Sequence, residues 1–292
     1  MLVPKVSPSP NKAPHATNIT PMHELTAIVP ISRMGGRLQL LCTWLPKALD
    51  LGICVVLVHD KQDNETGPEL RALIKRLNHK NLSFIEGVFK SPGLARNAGL
   101  EITATKWIAF WDSDDLVFPE VVIQALREDQ NETDVICCQY SEIILKRVKR
   151  AKETENRNQL IKNPGIWRLI ILRDLVGKVK FREFLMAEDQ VFLWEALVFD
   201  SKIRFSRRAT YAYSKGDPNQ ATASKLKISH LIKVIEFIKQ NQIPKNIRDR
   251  NSLIRRLSLT LIRRGAISHK LQGVHHLVNL GANEKSKSRF GL

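Results

Sequence analysis

The chain has little of what would mark a disulfide scaffold, a fibre or a membrane-spanning protein. Four cysteines occur in 292 residues, two of them adjacent at Cys137 and Cys138. That spacing suits neither a metal knuckle nor an easy bridge, and it points to a reducing, cytoplasmic setting. No apolar run is long enough to span a bilayer as a helix. The opening stretch carries Pro4, Pro8, Pro10 and Pro14 but no apolar segment of the secretory kind. Glycine and proline, 14 and 13 in number, are too few for a collagen-like chain, and no internal repeat is present. What remains is ordinary globular composition, 43% hydrophobic and 26% charged, enough to build a sizeable core.

Acidic residues are also scarce, 29 against 46 lysines and arginines, for a net charge of +17. The deficit is local. Residues 1–140 hold 14 basic against 16 acidic side chains, whereas residues 201–273 hold 17 against 3. A basic surface favours an anionic partner such as nucleic acid, anionic lipid or a phosphate-bearing substrate, or it is a solvated face with no partner. Zinc-finger spacing, an RNA-recognition motif and a basic zipper are all missing, so dedicated nucleic-acid binding is not expected.

Residues 1–22, rich in Pro, Ser, Asn and Lys, read as a flexible tail. Strand-like runs then alternate with helical stretches: Leu25–Ile31, a helix over Arg37–Leu49, Ile53–Val58, a helix over Glu69–Leu77, Leu82–Ile85, a helix over Leu94–Ala104 and Trp107–Trp111. A helix opening at Pro119 and a strand at Asp134–Tyr140 complete the series. This alternation predicts an α/β fold, a mostly parallel sheet with helices on both faces. Ligands of such sheets bind beyond the carboxyl ends of the strands, which directs attention to Ser32–Arg33, His59–Asp60, Gly87–Arg96 and Asp112–Asp115. Lys152–Lys162 reads as a polar loop, Asp189–Leu197 as a helix, and Ile203–Phe205 and Thr210–Tyr213 as two short strands.

Three segments carry chemistry. W-D-S-D-D at 111–115 crowds Asp112, Asp114 and Asp115 into one turn directly after an apolar strand. Such a cluster is either a solvated turn or a seat for a hard divalent cation. S-P-G-L-A-R-N-A-G-L at 91–100 leads into a helix, with glycines that permit close approach and with Arg96 as a planar fork for phosphate, or as an ordinary surface arginine. M-A-E-D-Q-V-F at 186–192 sets Glu188 beside Asp189 at a helix start, as caps or as a general base.

Together these segments resemble the family 2 glycosyltransferases of the GT-A fold. The resemblance runs from about Leu25 to Tyr213 and rests on the ordered set T-A-I-V-P at 26–30, V-V-L-V-H-D at 55–60, G-L-A-R-N-A-G-L at 93–100, I-A-F-W-D-S-D-D at 108–115 and A-E-D at 187–189. It implies a domain over 23–215 followed by a basic helical extension over 216–292. It implies that Asp112 and Asp114 form a D-x-D pair holding Mn2+ or Mg2+, with Asp112 also near the ribose. Asp60 would contact the nucleotide base, Pro30 would end the strand where base and ribose dock, and Arg96 and Glu188 would lie near the nucleotide. Asp189 would take the proton of the acceptor hydroxyl, and Trp167 would support the acceptor. The implied reaction is inverting transfer from a nucleotide-diphosphate sugar, a UDP-sugar by default, to a saccharide or lipid-linked glycan in envelope polysaccharide synthesis. The second acidic pair of the family is His59–Asp60 here, which makes Asp63 a rival to Asp60, and no Q-x-x-R-W motif of processive members is present.

Two readings compete with this one. A sugar-phosphate nucleotidyltransferase would carry a glycine-rich loop after the first strand, for which Gly35–Gly36 is a thin candidate. A non-catalytic basic scaffold would not need the acidic pairs. Beyond Lys225 the apolar stripe Ile228, Leu231, Ile232, Ile235 and Ile238, continued by Leu253, Leu257 and Leu261, is expected to pack on the catalytic domain or on a second subunit of a homodimer. The sharper alternative is contact of the basic helices with the anionic inner face of the membrane.

Overall fold

The computed structural model of the protein describes residues 23–34, 38–129, 133–144, 147–151, 153–215, 228–241 and 247–289. The expected tail over 1–22, the Gly35–Gly36 pair and the boundary at 216 lie outside the described residues. The chain runs β1 (Leu25–Ile31), α1 (Leu38–Asp50), β2 (Cys54–Asp60), α2 (Thr66–Leu77), β3 (Leu82–Gly87), α3 (Pro92–Glu101) and β4 (Trp107–Phe110). It continues with a short β5 (Leu116–Val117), α4 (Pro119–Arg127), β6 (Val135–Ile144), β7 (Arg147–Arg150) and α5 (Arg157–Lys162). Then come β8 (Leu169–Leu172), α6 (Arg173–Val176), α7 (Glu188–Glu195), β9 (Ile203–Lys215), α8 (His230–Gln240), α9 (Ile247–Arg264) and α10 (Ile267–Arg289).

One sheet has the strand order β3-β2-β1-β4-β8-β6-β9-β5, with β7 beside β6. The expected parallel arrangement holds for β3, β2, β1 and β4. Beyond β4 the sheet is mixed. β8 runs antiparallel to both β4 and β6, β9 is parallel to β6, and β5 is antiparallel to β9. Alternate residues of β1 feed two separate cores, because successive side chains of a strand point to opposite faces. Leu25, Ala27, Val29 and Ile31 pack with Leu41, Trp44 and Leu45 of α1 and Ile123 of α4. Ile28 packs on the other face with Ala95 of α3, Phe192 and Trp194 of α7, and the helices α8 and α9.

The structure departs from the sequence reading in three places. Lys152–Lys162 is not all loop: Asn156 caps α5 by accepting the Gln159 N–H at 3.0 Å, and Leu160 and Ile161 are buried. The two short strands expected at 203 and 210 are one strand, β9, which pairs with β6 across an irregularity between Cys137 and Tyr140. Gln139 fills that irregularity, its amide donating to the carbonyls of Thr154 and Ser206 and accepting the Thr154 N–H at 3.0 Å. Third, β6 runs on to Ile144 and turns back as β7.

The C-terminal stripe packs on the domain, as one of its two expected readings held. Leu231, Val234, Ile235 and Ile238 of α8 and Leu253, Ile254, Leu257 and Leu261 of α9 are buried in the same cluster as Val191 and Phe192. Ile267, Leu271, Val274 and Val278 of α10 form a further stripe that faces outward. Among the described residues no helix is long and apolar enough to cross a membrane.

Gly99 marks the tightest contact between helix and sheet, since a Cβ there would lie 2.4 Å from Cγ2 of Ile28. Gly99→Ala is expected to destabilise the fold by ~1–3 kcal/mol through overpacking, read as a lower urea midpoint with an unchanged slope; an unchanged midpoint would show that α3 yields freely.

Candidate active site

The site forms at the carboxyl edge of the parallel strands, where α3 brings distant segments together. Ser91 caps this helix, its Oγ accepting the Leu94 N–H at 3.3 Å, and Pro92 sits in the first turn. Gly93 makes a close approach, since a Cβ there would lie 3.0 Å from Cγ of Glu188 and from Cβ of Phe181. One turn on, the buried Arg96 donates from Nη2 to Oδ1 of Asp112 at 2.8 Å and from Nη1 to Oε1 of Glu188 at 3.3 Å. Its guanidinium lies 5.5 Å above the Phe181 ring, which itself stacks on Phe192 at 4.0 Å. Asn97 locks the same loop, donating to the Phe181 carbonyl at 2.9 Å and accepting its N–H at 2.8 Å.

The aspartate turn is held by a residue that sequence reasoning missed. The Asp112 N–H donates to the Tyr211 hydroxyl at 3.0 Å, and that hydroxyl donates to Oδ2 of Asp115 at 3.0 Å. Oδ1 of Asp115 accepts the Ser214 N–H at 2.6 Å. Asp115 is 1% exposed, so it closes the turn from inside, whereas Asp112 and Asp114 are only partly buried. Trp167 stacks on Tyr211 at 4.6 Å and on Tyr213 at 5.3 Å, which sets an aromatic wall directly behind the turn. Nothing in the pattern of β9 singled out Tyr211; only its pairing with Tyr140 of β6 brings it here.

Asp60 ends β2, level with the end of β1 that carries Pro30 and Ile31. Its oxygens accept the N–H groups of Gln62 at 3.1 Å and Lys90 at 3.2 Å. The rival Asp63 accepts the Arg33 N–H at 2.5 Å and the Thr66 N–H at 3.3 Å. Burial would raise its pKa, but hydrogen bonds from Thr66 and the Arg33 amide hold it below the usual range. His59 is buried, stacked on Phe84 and set against Glu86, so it serves packing.

Glu188 and Asp189 open α7 behind Ala187, which is held in the left-handed region at φ 62°. A non-glycine residue there stores about 1–3 kcal/mol of strain, which the surrounding structure must over-determine. Asp189 accepts the Gln190 N–H at 2.8 Å. Burial pushes the pKa values of Asp112 and Asp189 above the ordinary aspartate value, against the pull of Arg96. The helix α9 adds a second cation that sequence reasoning left in the extension: Arg256 acts on Asp189 through space.

Asp112 and Glu188 thus meet the guanidinium of Arg96, and Asp189 lies within the influence of both Arg96 and Arg256. Among the described residues no three His, Cys, Asp or Glu side chains are grouped to hold a metal ion by themselves. Two carboxylates on one turn, with hard oxygen donors and a surplus of negative charge, suit a divalent ion that takes its remaining ligands from phosphate and water.

Residues 47–187 match the family model described as Glycosyl transferase family 2. Over that segment the chain is similar to the family 2 glycosyltransferases. The match ends one residue before Glu188, so the acid pair and the C-terminal helices lie beyond it. The putative glycosyltransferase EpsH of Bacillus subtilis (strain 168) is 43% identical over 49 residues, which span 17% of this chain and 14% of EpsH. The structure of S. aureus TarS 1–349 in complex with UDP-GlcNAc superposes with a TM-score of 0.66 at 17% identity, covering 88% of this chain and 80% of that one. The mannosyltransferase PcManGT from Pyrobaculum calidifontis, solved with GDP-Man and Mn2+, superposes with a TM-score of 0.59 at 12% identity, covering 96% and 84%. These likenesses establish the GT-A fold.

Burial and the neighbouring Asp189 push Glu188 up from 4.5 to about 7, although Arg96 pulls the other way. The folded state therefore holds this proton more tightly than the unfolded chain does. Its contribution to stability is complete below the unfolded value and is lost as the pH rises through the folded one. Glu188→Gln removes the titration, so the variant should gain stability relative to wild type between about pH 5 and about pH 8 in urea denaturation. A difference that stays constant across that window would contradict the assignment.

Proposed function

We propose that this glycosyltransferase transfers a sugar with inversion from a nucleotide-diphosphate sugar, a UDP-sugar first, to a hydroxyl of a saccharide or lipid-linked glycan in an envelope polysaccharide. The observation that carries the reading is the meeting at Arg96 of Asp112, from the aspartate turn, with Glu188, from the acid pair. Complexes of the structural relatives with UDP-GlcNAc and with GDP-Man and Mn2+ support the donor class.

In this reading the nucleotide base and ribose dock at the ends of β1 and β2, beside Pro30 and Asp60, and Arg96 orients the donor side of the crevice together with Glu188. Asp112 and Asp114 would hold Mn2+ or Mg2+, which neutralises charge on the leaving diphosphate when bound. The half-buried Trp167, stacked on Tyr211 and Tyr213, offers a flat apolar face for the acceptor ring. Asp189 is the general base. The acceptor oxygen forms its bond to the anomeric carbon, its proton passes to the Asp189 carboxylate, and the bond from the anomeric carbon to the diphosphate oxygen breaks on the opposite face. The nucleoside diphosphate leaves with that electron pair.

Asp189→Asn should lower kcat about 10²–10⁴-fold while UDP binding in calorimetry with Mn2+ is kept; full transfer by the variant would remove Asp189 from the role of base. Asp114→Ala should abolish the Mn2+-dependent part of UDP binding and leave the melting temperature near that of wild type. Nucleoside diphosphate is the expected product, whereas pyrophosphate would mark a nucleotidyltransferase.

A further inference from the structure

We propose that Arg256, contributed by α9 from outside the matched segment, is a positioning residue for the acid pair, fixing the Glu188–Gln190 turn and presenting a second positive charge to Asp189. The inference rests on the reading of Asp189 as general base. It makes the C-terminal helices part of the catalytic machinery.

Arg256 lies beside the buried stripe of α9, between Leu253 and Leu257, while its neighbour Arg255 is exposed. Its Nε donates to the carbonyl of Lys162 at 3.0 Å, at the end of α5 where helix carbonyls lack internal partners. Its Nη1 donates to Oε1 of Gln190, the residue after Asp189. One side chain therefore ties α9 to α5 and to the first turn of α7. Apart from these two bonds, Arg256 makes no direct ion pair among the described residues.

That arrangement is costly for a mere pin. A guanidinium partly withdrawn from water without a contacting carboxylate is disfavoured, and a glutamine could supply similar hydrogen bonds without the charge. The charge has a counterpart in Asp189, with which Arg256 interacts favourably through space. Arg96 approaches the same carboxylates from α3, where it is already committed to Asp112 and Glu188. Arg256 approaches from α9 and, among the described residues, makes no hydrogen bond or ion pair with the aspartate turn. The second cation is thus placed to serve the base and not the donor.

The test compares Arg256→Gln, which keeps hydrogen bonding but loses charge, with Arg256→Lys, which keeps the charge, using full-length protein and a donor that wild type turns over. Leu257→Ala is the packing control, expected to lower the melting temperature while kcat per folded molecule is retained. In Arg256→Gln, kcat should fall about ten-fold or more, as small displacements of catalytic groups do, with donor KM within about two-fold of wild type. Arg256→Lys should recover most of that loss. Arg256→Gln with wild-type kcat, Arg256→Lys as slow as Arg256→Gln, or an Arg256→Gln that fails to accumulate as folded protein would each overturn the role. A wild-type chain that transfers sugar from no nucleotide sugar would overturn the proposed function, and this inference with it.

Discussion

A buried guanidinium organises this molecule. Arg96 is withdrawn from water on α3, and its charge is tolerable only because Asp112 and Glu188 meet it and the Phe181 ring lies beneath it. Removing one partner of such an arrangement leaves a charge uncompensated in a low-dielectric setting, which costs far more than the pair contributes. The dependence runs both ways. Asp112 and Glu188 lie 76 positions apart, and burial raises the pKa of each. Arg96 is what allows the two carboxylates to approach. The packing around it follows: Gly93 leaves room for Phe181 and Glu188, which a Cβ there would crowd, and Asn97 holds the Phe181 loop by its backbone.

The mixed half of the sheet has a matching purpose. A wholly parallel sheet would leave the aspartate turn at an open edge. Instead β9 runs beside β6 and brings Tyr211 under the turn, where one hydroxyl serves both the Asp112 N–H and the Asp115 carboxylate. Asp115, satisfied by Tyr211 and Ser214, is a structural acid. The turn therefore separates its three carboxylates: Asp115 is closed inward, whereas Asp112 and Asp114 are only partly buried.

The parts of the fold that follow local rules were legible in the sequence. β1, β2 and β4 announce themselves as apolar runs, Pro119 opens α4, and the order of D-S-D-D, A-R-N and A-E-D was enough to anticipate their meeting. What escaped depends on pairing between distant segments. α5 was hidden because its polar residues are exposed and only Leu160 and Ile161 are buried. The continuity of β9 depends on Gln139 bridging to Thr154 and Ser206, and no local pattern encodes that bridge. Ala187 gives no sign in the sequence that it will adopt a left-handed conformation. Arg256 was invisible for a different reason: in a run of basic residues, the one that turns inward looks like its neighbours.

This last point changes how the net charge is read. A basic last third suggests a surface for an anionic partner, and side chains such as Arg263 and Lys270 do face solvent. Yet the stripe of α8 and α9 is shared with the core of α7, so these helices are continuous with the fold that carries the acids. Long-range attraction needs only cations near the surface, whereas support of a carboxylate needs one cation, desolvated and fixed. The chain supplies both from one helix, Arg255 outward and Arg256 inward, because successive helical residues lie about a hundred degrees apart. The same amphipathic geometry that anchors α9 by Leu253 and Leu257 thus decides which of its charges can reach the acid pair.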